Sequence, residues 1–424
     1  MIYEDLRSKV SFLCVEGILN CIRAKTTTGN NYPFSEIGNS INMEVLRYYW
    51  ALTNDIEELA RIVSNSPRRL TTSLTYEEVE RRGEITGSIN AAATFLAQAR
   101  TLDPTIFIVN EPNMTYQSEP NFLVAWVLKE ALDILMSARR LHKKLNELDW
   151  YNSKISLLEQ ALRNDILKEL LLSPSGNKRP SSSAVRSASK SRVPVYQLAV
   201  GLYNLLEQIE SGDEGAIASC LEQTLVADLD YWQRLELGAA LKATTSLSSV
   251  TNQPILLRFP FISGQPISEV GQFSVYWQYT IPQRPLDKLD TSEKWTREVA
   301  ANIGVTTSDS RADVAITFGN KVVSLFECKY FESESAVAQA ILDASSQLVR
   351  YSRDLYPDNI SFAETLLTHC NIILATRNKY QSIITNNNSL ANGERKVYFL
   401  DIDDLLNNSL DTWAKELVSI CSSH

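Results

Sequence analysis

Two short apolar segments joined by a Gly-Asn turn most constrain what this chain can fold into. Ala312–Phe318 and Val322–Tyr330 are rich in β-branched, aromatic and other apolar residues, which is typical of buried strands. Gly319 and Asn320 lie between them and are residues that tight hairpin turns favour. The sequence therefore predicts an antiparallel hairpin within a sheet.

Charged side chains stand at the end of this hairpin opposite its turn. Asp313 opens the first strand, and Glu327 and Lys329 end the second with Cys328 between them. Side chains two residues apart share a face of a strand, so Glu327 and Lys329 point to the same side. Uncompensated charge on a buried face is costly. An exposed hairpin with a structural lysine–carboxylate pair is one interpretation, and a divalent cation is the other.

The oxygen atoms at this end of the hairpin suit a hard cation. The Asp313 and Glu327 carboxylates, together with the carbonyl of Cys328, predict a Mg²⁺ site in which Mn²⁺ would substitute. Such a metal lowers the pKa of a bound water and neutralises charge on a phosphodiester. Lys329 would orient that water or stabilise the charge that develops in the transition state.

A helix after the second strand adds a further pattern. Gln347, Arg350 and Tyr351 are spaced three and four residues apart, so they share one helix face. A D…ExK hairpin followed by a QxxxY helix resembles the PD-(D/E)XK nuclease superfamily, with Ala312 and Asp313 in place of the "PD" pair.

The resemblance implies roles for these residues. Asp313 and Glu327 would be metal ligands, and Lys329 would be the catalytic lysine. Gln347 would support the catalytic site. Tyr351, with Arg350 beside it, would contact DNA. An ordinary helix surface is the alternative for Gln347 and Tyr351.

The superfamily also places a glutamate on a helix ahead of the sheet, and two residues are candidates. Glu236 lies on a long predicted helix, with room for a strand at Phe273–Ile281 before Asp313. Glu298 lies on a shorter helix just before Asp313. The order of helix and strands favours Glu236 as the additional metal ligand, and a solvated helix face is the alternative for each.

The N-terminal half shows a second, looser likeness. Residues 82–90 (RGEITGSIN) and 118–123 (SEPNFL) resemble the "RG-I-W" and "PEN-LL" segments of the McrC-like family, although the order around Pro120 differs and Asn90 replaces the aromatic residue. McrC-like proteins are nuclease subunits of modification-dependent or anti-phage restriction systems that often work with an AAA+ motor. The chain has no GxxxxGK[ST] motif, so an AAA+ motor would be a separate partner.

A Ser-rich basic segment divides the chain. Residues 173–192 contain eight serines and no acid. This composition predicts either a flexible linker or a basic strap along a phosphate backbone. The predicted domains are a helical domain at 1–172 for docking or DNA sensing, the linker or strap at 173–194, and a helical lead-in with the nuclease domain at 195–424. The basic residues that would contact nucleic acid are Lys178, Arg179, Arg186, Lys190 and Arg192.

Hydrophobic periodicity and the resemblance together predict the fold class. Helical spacing dominates before Pro254, and strand-like segments dominate after it. We expect a mostly helical N-terminal half followed by an α/β C-terminal domain, with a restriction-endonuclease-like mixed sheet flanked by helices.

Composition narrows the chemistry and the compartment. Six scattered cysteines without a CxxC pair predict free thiols, and three histidines make a His-centred triad improbable. No apolar segment is long enough to span a membrane, and no secretory signal is evident, so a cytoplasmic location is expected. The net charge of −9 does not indicate a polyanion partner for the whole molecule.

These features predict a metal-dependent DNA endonuclease in a bacterial restriction or anti-phage system. A non-catalytic scaffold of nuclease-like fold, binding nucleic acid or a motor, is the alternative, as is the same chemistry on RNA or branched DNA. One such centre cuts one strand, so duplex cleavage would need a homodimer or two successive events.

Overall fold

The structure is a computed structural model of the 424-residue chain. It describes residues 2–23, 34–65, 70–141, 143–173, 178–258, 261, 264–303, 310–331, 337–375, 398–407 and 410–422.

The chain forms two compact units, and the second is inserted within the sequence of the first. The first combines Met1–Tyr49 with Asp213–His424, and the second is Trp50–Gly212. The helix at the N-terminus therefore belongs with the C-terminal half of the chain.

The elements of the first half are nine helices and three strands among the described residues. In chain order they are α1 Ile2–Arg23, α2 Phe34–Ala51, α3 Asn54–Asn65, β1 Ser73–Arg82, β2 Ser88–Ile89, α4 Ala91–Thr101, β3 Ile106–Thr115, α5 Glu119–Leu141, α6 Asp149–Leu162, α7 Asp165–Leu172, α8 Ser182–Lys190 and α9 Pro194–Glu210. The strands form an antiparallel sheet in the order β1-β3-β2.

The second half adds seven helices and seven strands to the described part of the chain. They are α10 Glu214–Leu221, α11 Tyr231–Thr251, β4 Ile255–Leu257, β5 Pro266–Val270, β6 Phe273–Ile281, α12 Thr291–Asn302, β7 Ser310–Phe318, β8 Lys321–Tyr330, α13 Val337–Leu355, α14 Ile360–Leu367, β9 Asn371–Ala375, β10 Tyr398–Asp401, α15 Ile402–Leu406 and α16 Leu410–Cys421. A single π-helical turn, Glu222–Val226, separates α10 from α11.

The seven strands form one mixed sheet in the order β10-β9-β8-β7-β6-β5-β4. Strands β8, β9 and β10 are parallel neighbours, and the remaining neighbours are antiparallel. Helices α11, α13 and α14 pack on β8, which places this strand in the interior. The expected mixed sheet flanked by helices in the C-terminal half is confirmed.

Strand β8 is buried because its middle residues are apolar on both sides. Leu325 and Phe326 have no exposed surface, and Phe326 packs edge-on against Trp413 of α16 with ring centroids 5.0 Å apart. Continuous apolar sequence of this kind is typical of strands covered on both faces. A charged residue on β8 is therefore forced into the core, and Glu327 is such a residue.

All six cysteines are free and buried, as the sequence predicted. Among the described residues, no helix combines the length and apolar character needed to cross a bilayer.

The domain boundaries differ from those expected at residues 172 and 195. Helix α1 packs on α11 within the first unit, and residues 178–194 lie inside the second unit. Sequence periodicity could not reveal this arrangement, because it reports on neighbours along one element and not on partners more than 200 residues away.

The Ser-rich segment is not a flexible linker where the structure describes it. Ser181 caps α8 by accepting a hydrogen bond from the Ala184 N–H at 3.2 Å. Ala184 and Ala188, one helical turn apart, are buried as α8 packs on α5 and α9. The prediction of a flexible linker was wrong because two alanines on one face are enough to pack a short helix against larger neighbours.

This packing predicts that Ala188→Asp destabilises the second unit, since a carboxylate would be buried without a partner. We expect the free energy of unfolding in urea, followed by circular dichroism, to fall by about 2–4 kcal/mol. Ser187→Asp, at an exposed position of the same helix, is the matched control and should change it little. Equal stability of the two variants would contradict the packed helix.

Candidate carboxylate and lysine site

Three carboxyl groups and one lysine from three elements meet at the end of the β7–β8 hairpin. Asp313 comes from β7, Glu327 and Lys329 from β8, and Glu236 from α11. Glu327 is fully buried and Glu236 is 3% exposed. The hairpin supplies three of the four side chains, as the sequence predicted, while α11 brings the fourth from 77 residues before Asp313, since 313 − 236 = 77.

Burial, together with the charge of Asp313, raises the pKa of Glu236, so these two carboxyl groups lie close together in the cluster. The Asp313 Oδ2 accepts the backbone N–H of Cys328 at 2.7 Å, which ties it to the neighbouring strand. The Glu236 Oε2 accepts hydrogen bonds from the Trp277 indole N–H at 3.0 Å and from the Gln278 amide at 2.9 Å. Donors on the strands of the sheet therefore hold both carboxyl groups.

Gln278 reaches Glu236 because the sheet is interrupted at this point. The β6–β7 ladder keeps one register on both sides of Gln278, but Gln278 and Asp313 are not paired with each other. Gln278 has a φ of 56°, in the left-handed region that non-glycine residues rarely adopt. Such backbone strain costs about 1–3 kcal/mol and is common at functional sites.

Glu327 and Lys329 form the ion pair of the site, and Gln347 holds the lysine from α13. The Lys329 ammonium donates to the Glu327 Oε2 at 2.8 Å and to the Gln347 side-chain oxygen at 2.8 Å. The second oxygen of Glu327, Oε1, is buried and has no hydrogen-bond partner. A buried carboxylate oxygen without a partner is costly and calls for an additional ligand or a proton.

Burial dominates the electrostatics of these groups. Desolvation, reinforced by the charge of Asp313, raises the pKa of Glu236 to about 8 and that of Glu327 to about 8. Burial also raises the pKa of Asp313, against the opposing effect of the Cys328 N–H. For Lys329 burial disfavours the charged form, but the charge and hydrogen bond of Glu327 and the charge of Asp313 together outweigh burial, and the pKa is raised.

The predicted DNA-contacting pair on α13 divides into a buried and an exposed member. Tyr351 is 3% exposed, and its hydroxyl donates to the backbone carbonyl of Arg311 at 2.8 Å, on the strand that carries Asp313. Arg350 is exposed, with its guanidinium 5.4 Å from the Tyr351 ring centroid. Little of Tyr351 is accessible to a nucleic acid, whereas Arg350 is.

The basic residues of the second unit that were predicted to contact nucleic acid differ in whether they already form ion pairs. Arg179 forms ion pairs with Glu207 and Glu210 and lies over the rings of Trp126 and Tyr203. The remaining side chains are exposed and form no ion pair within the described part of the chain; they are Lys178, Arg186, Lys190 and Arg192.

Of the two glutamates that the sequence proposed, Glu236 lies in the cluster and Glu298 is exposed on α12. The sequence reasoning missed Trp277 and Gln278. The sequence does contain a sign of them, because a glutamine follows a tryptophan within a largely apolar strand. Burying the glutamine amide is unfavourable unless it has a hydrogen-bond partner.

Carboxylate oxygens are the donors that this cluster could offer to a metal ion. Within the described residues, no three His, Cys, Asp or Glu side chains are arranged as a complete metal site. The chemistry nevertheless fits a hard divalent cation, because the Glu327 Oε1 has no hydrogen-bond partner and two further carboxyl groups, those of Glu236 and Asp313, lie beside it.

Comparison with known proteins adds little. No protein-family model matches the chain, and no curated protein matches its sequence. One solved structure that it is similar to is described as a half-complex of Thermococcus gammatolerans McrB AAA+ hexamers with bound McrC. The identity is 12% and the TM-score 0.24, with 97% of this chain and 76% of that chain covered. A TM-score this low does not establish a shared fold.

The raised pKa values of Glu236 and Glu327 predict a pH-dependent stability without metal. The unfolded chain loses these protons near pH 4.3, whereas the folded chain keeps them up to about pH 8. The folded state therefore binds more protons between these values, and the free energy of unfolding falls as the pH rises through them.

The slope is measured by urea unfolding in EDTA between about pH 5.5 and pH 8.5. This range covers most of the interval between the pKa of the glutamates in the unfolded chain and their pKa in the folded chain. Glu327→Gln carries a neutral amide at all pH values and should flatten the decline. Glu269→Gln, which breaks the exposed Arg258–Glu269 pair, is the control and should keep the wild-type slope. An unchanged slope for Glu327→Gln would show that Glu327 does not hold its proton.

Proposed function

We propose that this chain is a metal-dependent endonuclease that hydrolyses phosphodiester bonds in DNA, as part of a bacterial restriction or anti-phage system. The observation that carries the proposal is the buried cluster of Glu236, Asp313 and Glu327 with Lys329 at its edge. Two of these carboxyl groups have a raised pKa of about 8, and one buried Glu327 oxygen lacks a partner. Perturbed acids gathered with a lysine are typical of catalytic sites.

In this proposal the metal ligands are Asp313, Glu327, the carbonyl of Cys328 and Glu236. A bound Mg²⁺, or Mn²⁺ in its place, would lower the pKa of a water molecule and neutralise phosphate charge. Binding would displace the protons that Glu236 and Glu327 otherwise hold, so the affinity for the metal would rise with pH.

The protein's own residues would supply positioning and charge. Lys329 would orient the attacking water or stabilise the developing negative charge, because its ammonium already lies at the edge of the cluster. Gln347 would hold that ammonium in place through its 2.8 Å hydrogen bond. Arg350, exposed on the same helix, would contact DNA, and the buried Tyr351 would hold β7 in place through its hydrogen bond to the Arg311 carbonyl.

The proposed partners follow from the motifs in the sequence. The likeness of residues 82–90 and 118–123 to McrC-like proteins supports a separate AAA+ motor, which this chain would serve as the nuclease subunit. A homodimer is proposed for cutting both strands, and the cytoplasm is the proposed location.

Cleavage of supercoiled plasmid in Mg²⁺ or Mn²⁺ tests the activity. Wild-type protein should nick or linearise the plasmid. Lys329→Ala should reduce the rate at least about 100-fold, since it removes the one cation of the cluster. Lys288→Ala, which breaks the surface pair with Asp358, is the control and should cut at the wild-type rate. Equal cutting by wild type and a folded Lys329→Ala protein would refute the site assignment.

The exposed basic residues of the second unit are proposed to bind phosphate. Replacing Lys178, Arg186, Lys190 and Arg192 together by glutamine should flatten the dependence of DNA affinity on salt, by about 0.9 in the logarithmic slope for each lost contact with duplex. Arg61→Gln, which removes a guanidinium already paired with Glu57, is the control. A wild-type slope in the fourfold variant, measured by fluorescence anisotropy, would contradict this role.

A non-catalytic scaffold remains the second candidate because one observation favours it. Within the described residues the carboxyl groups do not surround a cation position, and Glu236 is already engaged by Trp277 and Gln278. DNA binding without cleavage in either metal, with and without a motor subunit, would support the scaffold. RNA and branched DNA in the same assay distinguish the remaining substrate classes.

A further inference from the structure

A cavity of about 830 Å³ lies at the other end of the β7–β8 hairpin from the carboxylate cluster. Its walls come from the hairpin turn, from α14 and from α16, all within the first unit. From Lys321 to Glu327 the strand advances six residues, about 20 Å, so the cavity is separate from the cluster. Its volume is in the range of small-ligand sites.

The floor of the cavity is apolar and includes aromatic rings. Phe318, Val323, Phe362, Leu366 and Leu417 line it. Lys321 stands beside this floor, with its ammonium 5.7 Å from the centroid of the Phe362 ring. Phe362 is half-buried, and its ring both contacts the lysine and lines the cavity. A flat apolar group would pack on such a floor.

Lys321 supplies the positive charge among the residues that line the cavity. The N-terminus of α14 begins beside it with Asn359 and Ser361 as lining residues. Asn359 caps the helix by accepting the Phe362 N–H at 3.0 Å. An ammonium group next to a helix N-terminus attracts an anionic group. Within the described residues Lys321 has no ion-pair partner.

The cavity is also lined by a buried histidine whose hydrogen bonding is incomplete. His369 is 7% exposed and lines the cavity, and its Nδ1 has no hydrogen-bond partner. Burial lowers the pKa of His369, against the raising effect of Glu416, so the ring is neutral at pH 7. A buried polar nitrogen without a partner in a native structure calls for a missing ligand or water.

We propose that this cavity is a binding site for a small anionic ligand with a flat aromatic ring. The ring lies on Phe362 and Leu366, the anionic group contacts Lys321, and the ligand supplies the hydrogen bond that His369 lacks. The site does not depend on the proposed nuclease activity, because no carboxylate of the cluster lines it.

Two matched dyes test the proposal on the full chain without metal. Anilinonaphthalene sulfonate has both the aromatic rings and the anion, and N-phenylnaphthylamine has the same rings without the sulfonate. Fluorescence titration should show one saturable site for the sulfonate dye. Lys321→Gln should weaken its binding about tenfold, the loss of one charge-assisted contact of about 1.4 kcal/mol, and leave the neutral dye unaffected.

Two further variants locate the site. Thr365→Trp places an indole in the cavity from an exposed position of α14 and should weaken the binding of both dyes. Lys294→Gln, an exposed lysine of α12 outside the cavity, should change neither. The absence of saturable binding, or equal affinity of wild type and Lys321→Gln for the sulfonate dye, would overturn the ligand class. Unchanged binding to Thr365→Trp would overturn the location.

Discussion

The burial of Glu327 at the centre of the large sheet is the constraint on which the rest of the site depends. A carboxylate with no exposed surface is unstable unless its charge is paired or its proton is retained. Lys329 supplies one pair at 2.8 Å, and Gln347 fixes the lysine from a second element. A buried ion pair rarely recovers its full cost of desolvation, so this arrangement is better explained by function than by stability.

The same constraint accounts for the irregular backbone of β6. A regular ladder would pair Gln278 with Asp313, whereas the left-handed conformation of Gln278 places its amide on Glu236. The sheet thus loses one regular pair and gains a buried donor for a second carboxyl group. Glu236, Asp313 and Glu327 stay close because hydrogen-bond donors, raised pKa values and one lysine offset their mutual repulsion.

Much of the sheet could be predicted because its elements are locally encoded. The strand at Phe273–Ile281 and the hairpin that follows it have apolar and β-branched sequences whose period matches their structure. Strands β1, β2 and β5 were not predicted. Strand β1 is almost entirely exposed where its side chains are described, so it carries no apolar signal. Helix α8 was not predicted, because the serine-rich composition indicated a flexible segment and the two alanines that are buried were overlooked.

The spacing of the charged groups within the hairpin and the shared helical face of Gln347 and Tyr351 follow from the local sequence, because a strand or a helix fixes the geometry of nearby residues. Only the tertiary structure decided that Glu236 rather than Glu298 joins them, that α1 packs with α11, and that Glu327 is fully buried. These outcomes depend on contacts between residues far apart in the chain. Desolvation, which raises the pKa values of the site, exists only after those contacts have formed.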